Sequence, residues 1–224
     1  MNWRDLRGLW IRRENGGKVG RVVGLRPSRN EAKILLLATV PRTFLRYIPD
    51  IVKFGSFYVP TQIAREMDRE IVVPETFEPD EELKVKAKEL PKLKRLINTE
   101  AYAGRGWRIG RLVDADIDPS SWMLESLAID VYPEYLISLE ARREAEMVSF
   151  PPLMRVTVPG EGVEFVGSDS LERSYSVVLP VAGRDVEKHL IKEIEAGESN
   201  DRGRDGVIQT AFENAYREKG LYQL

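Results

Sequence analysis

Apolar and polar residues alternate with a period of two along "RIGRLVDADID" (Arg108–Asp118), which predicts a strand with one buried face. Shorter apolar runs, Ile34–Ala38 and Leu124–Ile129, follow the turn-forming stretches "RPSRN" and "DPSS" and predict further strands. Glu70–Val73 and Gly162–Val166 predict a late strand in each half. The C-terminal segment changes period. Val186, Leu190, Ile191 and Ile194 fall on one helical face, and Val207, Ile208, Ala211, Phe212, Ala215 and Tyr216 on another. The intervening "AGESNDRGRDG" is flexible by composition. Such a tail either packs across the strands or offers an amphipathic helix to a partner.

The strand pattern occurs twice. "GKVGRVV" (Gly17–Val23) aligns with "WRIGRLV" (Trp107–Val113), with Gly20 over Gly110, Arg21 over Arg111 and Val23 over Val113. Lys18/Arg108, Val19/Ile109 and Val22/Leu112 are conservative pairs, and only the first position disagrees. Downstream, Ser28–Pro41 answers Ser120–Pro133, and Tyr58–Val73 answers Ser149–Val166 with Pro60 over Pro151. Three segments in one order imply a tandem duplication, with copies near residues 4–78 and 94–170. Each copy opens on a glycine turn (Gly16, Gly17 and Gly20; Gly106 and Gly110), because glycine reaches positive φ without a Cβ clash. Strands this short form no stable open sheet alone, so the expected fold is mainly β, with two tandem small antiparallel barrels.

The expected organisation is a first barrel over 1–78, a charged linker over 79–93, a second barrel over 94–182 and a helical tail over 183–224. Pro79 and Pro91 bound a short helix in the linker. Each copy also carries an insert, "RTFLRYIPDIVKFGSF" or "EYLISLEARREAEMVS"; the second reads as helix, whereas Pro49 interrupts the first.

The motifs resemble the PRC-barrel family, whose pattern is Leu-x-Gly, a "G-x-x-[IV]-G-x-[VI]" hairpin and a late proline before a final strand. The first copy carries it at Leu6, Gly8, Gly17, Val19, Gly20, Val22, Pro60 and Ile71. The second keeps Ile109, Gly110, Leu112, Asp114, Pro119 and Pro151, with Asn98 where the leading glycine belongs. The two copies cover about two-thirds of the chain. The resemblance implies small β-barrels that act as docking modules. Relatives include the H subunit of photosynthetic reaction centres, the C-terminal domain of a ribosome maturation factor, and stand-alone archaeal proteins, some tied to cell division.

Composition narrows the chemistry. The 224 residues are 42% hydrophobic, enough for a packed core, and cysteine is absent, which excludes disulfides and thiolate chemistry. Charged residues reach 31%, a thermophile-like share. The net charge of -2 disfavours nucleic acid as the main partner. No apolar run approaches a membrane span, and "MNWRDLRGLW" lacks the apolar core of a secretory signal. The expectation is a soluble, cytoplasmic protein without membrane insertion.

Gly104-x-Gly106-x-x-x-Gly110 is one residue off the dinucleotide fingerprint and feeds a strand where that motif needs a helix. Asp114, Asp116, Asp118 and Glu125 fall at the first, third, fifth and twelfth positions of a calcium loop. Pro119, however, stands where that loop requires glycine, and the flanks are not helical. His189 is the single histidine and reads as a surface helix residue, leaving little material for a metal centre or a catalytic triad. Carboxylates such as Glu70, Asp130 and Glu164 are not paired by any pattern. No catalytic residue, cofactor or metal is therefore expected.

Trp107, Arg108, Arg111 and Trp122 of the second copy, with Arg21 and Arg26 of the first, mix the aromatic and arginine types favoured at binding surfaces. The ordinary alternative is tryptophan as core cover and arginine as a cross-strand ion-pair partner. The expected function is a non-catalytic adaptor docking on protein partners. An RNA- or ribosome-associated factor is the alternative, and homo-oligomerisation stays open.

Overall fold

The structure is a computed structural model that describes residues 1–41, 57–104, 106–136, 153–167, 175–195 and 199–221. Six strands form a first sheet: β1 (Trp10–Arg13), β2 (Lys18–Pro27), β3 (Ile34–Pro41), β4 (Phe57–Pro60), β5 (Arg65–Met67) and β6 (Glu70–Val73). Six more form a second: β7 (Glu100–Ala103), β8 (Trp107–Asp118), β9 (Met123–Val131), β10 (Met154–Pro159), β11 (Glu164–Gly167) and β12 (Tyr175–Leu179). The helices are α1 (Trp3–Leu6), α2 (Glu82–Glu89), α3 (Leu93–Leu96), α4 (Pro133–Leu136), α5 (Gly183–Glu195) and α6 (Ser199–Glu218).

The strand orders are β4-β3-β2-β1-β6-β5 and β10-β9-β8-β7-β12-β11, one topology written twice. The registers repeat as well. Trp10 faces Arg21 and Ile11 faces Gly20 before a bulge, as Glu100 faces Arg111 and Ala101 faces Gly110 before another. A second bulge follows Val22 in one copy and Leu112 in the other. Even the entry turns match: Gly8 has φ 91 and donates its N–H to Val22, while Asn98 has φ 71 and donates to Leu112. Asparagine tolerates this left-handed conformation better than most residues, which is why it can replace the leading glycine.

Register also corrects the alignment read from the sequence. Gly20 pairs with Pro41 and Gly110 with Val131, so Pro41 answers Val131 rather than Pro133. Leu36 pairs with Pro60 and its counterpart Ser126 with Pro159, so Pro60 answers Pro159 rather than Pro151. The strand expected at Gly162–Val166 is β11, the counterpart of β5; the counterpart of β6 is β12. Each sheet is mixed rather than antiparallel, since β1 runs parallel to β6 and β7 parallel to β12. Hairpin logic cannot foresee a partner that arrives from the far end of the copy.

One apolar core joins both sheets and the C-terminal helices. Val186 and Leu190 of α5, and Val207, Ile208, Ala211, Phe212, Ala215 and Tyr216 of α6, are buried. The apolar faces of the tail are thus spent internally. α6 begins at Ser199, so most of the segment read as flexible is helical, its first turns carried by the docked remainder. α6 lies on β10, where the Gln209 amide accepts from the Thr157 N–H and donates to its carbonyl, both at 2.9 Å. That side chain occupies an exposed strand edge. Apart from α4, the predicted helix of the second insert lies outside the described residues, as do Pro49 and Pro151.

Gly20 and Gly110 sit where the backbone bends at the first bulge. A methyl group would overlap the carbonyl oxygen of Val40 at Gly20 and that of Asp130 at Gly110. Gly110→Ala should therefore lose about 1–3 kcal/mol or more, as overpacked sites do. Gly24→Ala, where the added carbon meets only Ala38 Cβ at 3.7 Å, should stay within about 0.5 kcal/mol in urea unfolding.

Candidate functional site

The two sheets meet through their β2–β3 and β8–β9 corners. Ile34 N–H donates to the Trp122 carbonyl (2.8 Å) and Leu124 N–H to the Ala32 carbonyl (2.7 Å), flanking an antiparallel bridge between Lys33 and Met123. Ala32 and Trp122, Lys33 and Met123, and Ile34 and Leu124 occupy equivalent places in the two copies. The contact is consequently reciprocal, and a quasi-two-fold axis passes through the bridge.

The helical turns that open each copy are exchanged across this axis. α1 packs against β8, and α3 packs against β2. Each exchange creates a place where the start of one copy faces the second strand of the other. At the β2 side lies a cleft of about 230 Å³, lined by Trp3, Arg7, Val23–Arg26, Ala38, Tyr58, Lys92 and Lys94. Among the described residues that line it, the walls are largely apolar, four side chains are cationic, and none is acidic. Arg26 is buried, 6% exposed, and donates to the Leu90 carbonyl (2.8 Å) and the Tyr58 hydroxyl (3.2 Å). Both acceptors are neutral, and Arg26 makes no ion pair among the described residues. Trp3 is 5% exposed, and its indole N–H is buried without a hydrogen-bond partner.

The mirror-related place carries the opposite charge. Asp114 and Asp116 stand where β2 has Gly24 and Arg26, and Asn2 and Arg4 where α3 brings Lys92 and Lys94. Arg4 Nη1 lies 3.9 Å from Asp114, and the Asn2 amide donates to Asp116 at 3.5 Å. One carboxylate there meets a cation of the protein and the other a neutral amide. Within the aspartate row, Asp114 is thus the counter-charge of Arg4 on α1, and Asp116 accepts from Asn2 at its N-cap. Asp118, the third member, holds the following turn, accepting from the Ser120 N–H and from the Ser120 and Ser121 hydroxyls. Among the described residues, no three His, Asp or Glu side chains gather as metal ligands.

The sequence-derived candidates do not converge. Arg26 lines the cleft, while Arg21 stacks on Trp10, its guanidinium carbon 4.1 Å from the ring centroid, with Lys18 Nζ at 4.6 Å. Arg111 is exposed on β8. Arg108 pairs with Glu100 at 2.9 Å and lies 5.3 Å over Tyr135. Trp107 donates its N–H to the Tyr135 carbonyl (2.6 Å) and packs so tightly on Gly183 that no side chain fits there. Trp122 is 3% exposed, has φ 60 and donates to the Ala64 carbonyl of the first copy at 2.8 Å. It holds the copies together and is not a surface residue. Lys92 and Lys94 reach β2 only through the exchange of α3, and Tyr58 reaches the cleft from β4 of the same sheet, so local pattern marks none of them.

Two other readings change. His189 is buried, 8% exposed, on the Val186 face of α5, with Nε2 3.2 Å from Glu218 of α6. Its hydrogen bond, and then that of Lys188, hold the Glu218 carboxyl below its ordinary range. Glu70 pairs with Arg12 at 2.6 Å and Asp130 with Arg155 at 2.7 Å, so both serve as cross-strand partners. No family model matches the chain, and no curated protein matches it.

The Ser120 and Ser121 hydrogen bonds lower the Asp118 pKa from 3.8 to about 2. A depressed carboxyl stabilises the fold above its unfolded pKa, and that contribution is lost as pH falls through the folded value. Stability should therefore drop between about pH 4 and pH 2, and Asp118→Asn should flatten that limb, as read by urea midpoints along a pH series.

Proposed function

We propose that the chain is a non-catalytic adaptor built of two PRC-barrel-like modules that docks on protein partners in the cytoplasm. The observation that carries the reading is the outer face of the β1–β2 hairpin. There Trp10 is half-buried between Arg21 and Lys18, and Arg12 is paired to Glu70. A partly exposed tryptophan flanked by cations has the composition of an interface anchor. The second copy has Glu100 at the position of Trp10, so the two outer faces are not interchangeable.

The barrel reading is supported by the sheet edges. β4 and β5 lie at opposite ends of the strand order yet are joined by a single turn at Thr61–Ile63, as closure requires. The family resemblance adds partners of the kind found in archaeal cell-division or other macromolecular assemblies. A ribosome-maturation or RNA-associated role is the second reading, because the same cation–aromatic stack could hold an unpaired base.

Crosslinking and mass spectrometry in native cells separate these readings. Trp10→Ala should remove a reproducible set of protein partners while leaving the melting temperature within about 2 °C. An unchanged partner set would count against docking through this face. Partners lost on RNase treatment, with RNA affinity that falls steeply with salt, would favour the second reading.

A further inference from the structure

We propose that the cleft between β2 and the exchanged turn α3 binds a small phosphate-bearing ligand. Arg26 begins the argument. A guanidinium carries five N–H donors, and this one is buried with only a carbonyl and a hydroxyl as acceptors. A buried cation without a counter-charge is costly, and a bound anion removes that cost. Arg7, Lys92 and Lys94 place three more cations in the lining, which contains no carboxylate among the described residues. Arg7 and Lys94 make no ion pair among the described residues.

The mirror site is an internal control. With the same backbone, Asp114 is paired with Arg4 of the chain itself and Asp116 accepts from the neutral Asn2 amide. At the β2 site, Arg26, Arg7 and Lys94 pair with no carboxylate among the described residues. Arg26, Arg7 and Lys94 together suit a phosphate monoester, whose charge near neutral pH is about -1.5 to -2, better than a single carboxylate. Trp3, Val23, Leu25 and Ala38 supply apolar wall. A cleft of about 230 Å³ is smaller than ordinary drug-sized sites, which limits the ligand to a phosphate group and a short organic body. This site is separate from the Trp10 face and stands whether or not that face docks a partner.

Calorimetry and thermal unfolding of the full chain with inorganic phosphate, at constant ionic strength against chloride, test the proposal. Saturable binding of one phosphate per chain and a raised melting temperature are expected. Arg26→Met should abolish binding. Lys94→Gln and Arg7→Gln, both at exposed positions, should each weaken it about tenfold without altering the melting temperature of the free protein. Arg111→Gln, outside the cleft, should bind as wild type does. The proposal is overturned if phosphate acts no differently from chloride, or if succinate binds and phosphate does not. It also fails if Lys94→Gln and Arg7→Gln bind as tightly as wild type, which keeps it open to refutation even should Arg26→Met not fold.

Discussion

The structure depends on a reciprocal pair of hydrogen bonds. Ile34 to Trp122 and Leu124 to Ala32 tie the β2–β3 corner of one copy to the β8–β9 corner of the other. Two such bonds contribute only about 0.5–1.5 kcal/mol each. Their importance is geometric, because they fix the quasi-two-fold axis that brings α1 onto β8 and α3 onto β2. Trp122 adds the apolar weight, buried at the junction with its N–H on the Ala64 carbonyl. Because each copy begins with a turn that packs on the other, residues from both halves enter one core.

The frame was legible where backbone geometry restricts side chains. Gly20 and Gly110 recur because a Cβ would strike a neighbouring carbonyl oxygen, and so the repeat could be read from the glycines and the aliphatics between them. Proline recurrence misled, since Pro133 and Pro151 resemble Pro41 and Pro60 in sequence but not in register. The parallel pairs β1–β6 and β7–β12 were not legible, as nothing local marks a partner 60 or 76 residues away.

Site residues were less legible still. Arg26 was identifiable by type, but of its neighbours Lys92 looked like part of a charged linker and Lys94 like the first residue of the second copy. His189 looked exposed because both apolar helix faces were visible in the sequence but the packing of one helix over the other was not. Trp107 and Trp122 follow the ordinary rule that a large aromatic ring is spent on packing, with the indole N–H given to a backbone carbonyl. In each case the missing information was a contact between distant segments.

Net charge conceals the same kind of information. The chain is close to neutral overall, yet duplication produced two places with one backbone and opposite local charge. The backbone hydrogen bonds that hold the copies together involve none of the side chains at Gly24, Arg26, Lys92 and Lys94, or at Asp114, Asp116, Asn2 and Arg4. Those positions were therefore able to diverge without loosening the frame. One site became a matched pair that secures α1. The other kept a buried arginine that pairs with no carboxylate among the described residues, an expense in stability that a purely structural site has no reason to retain.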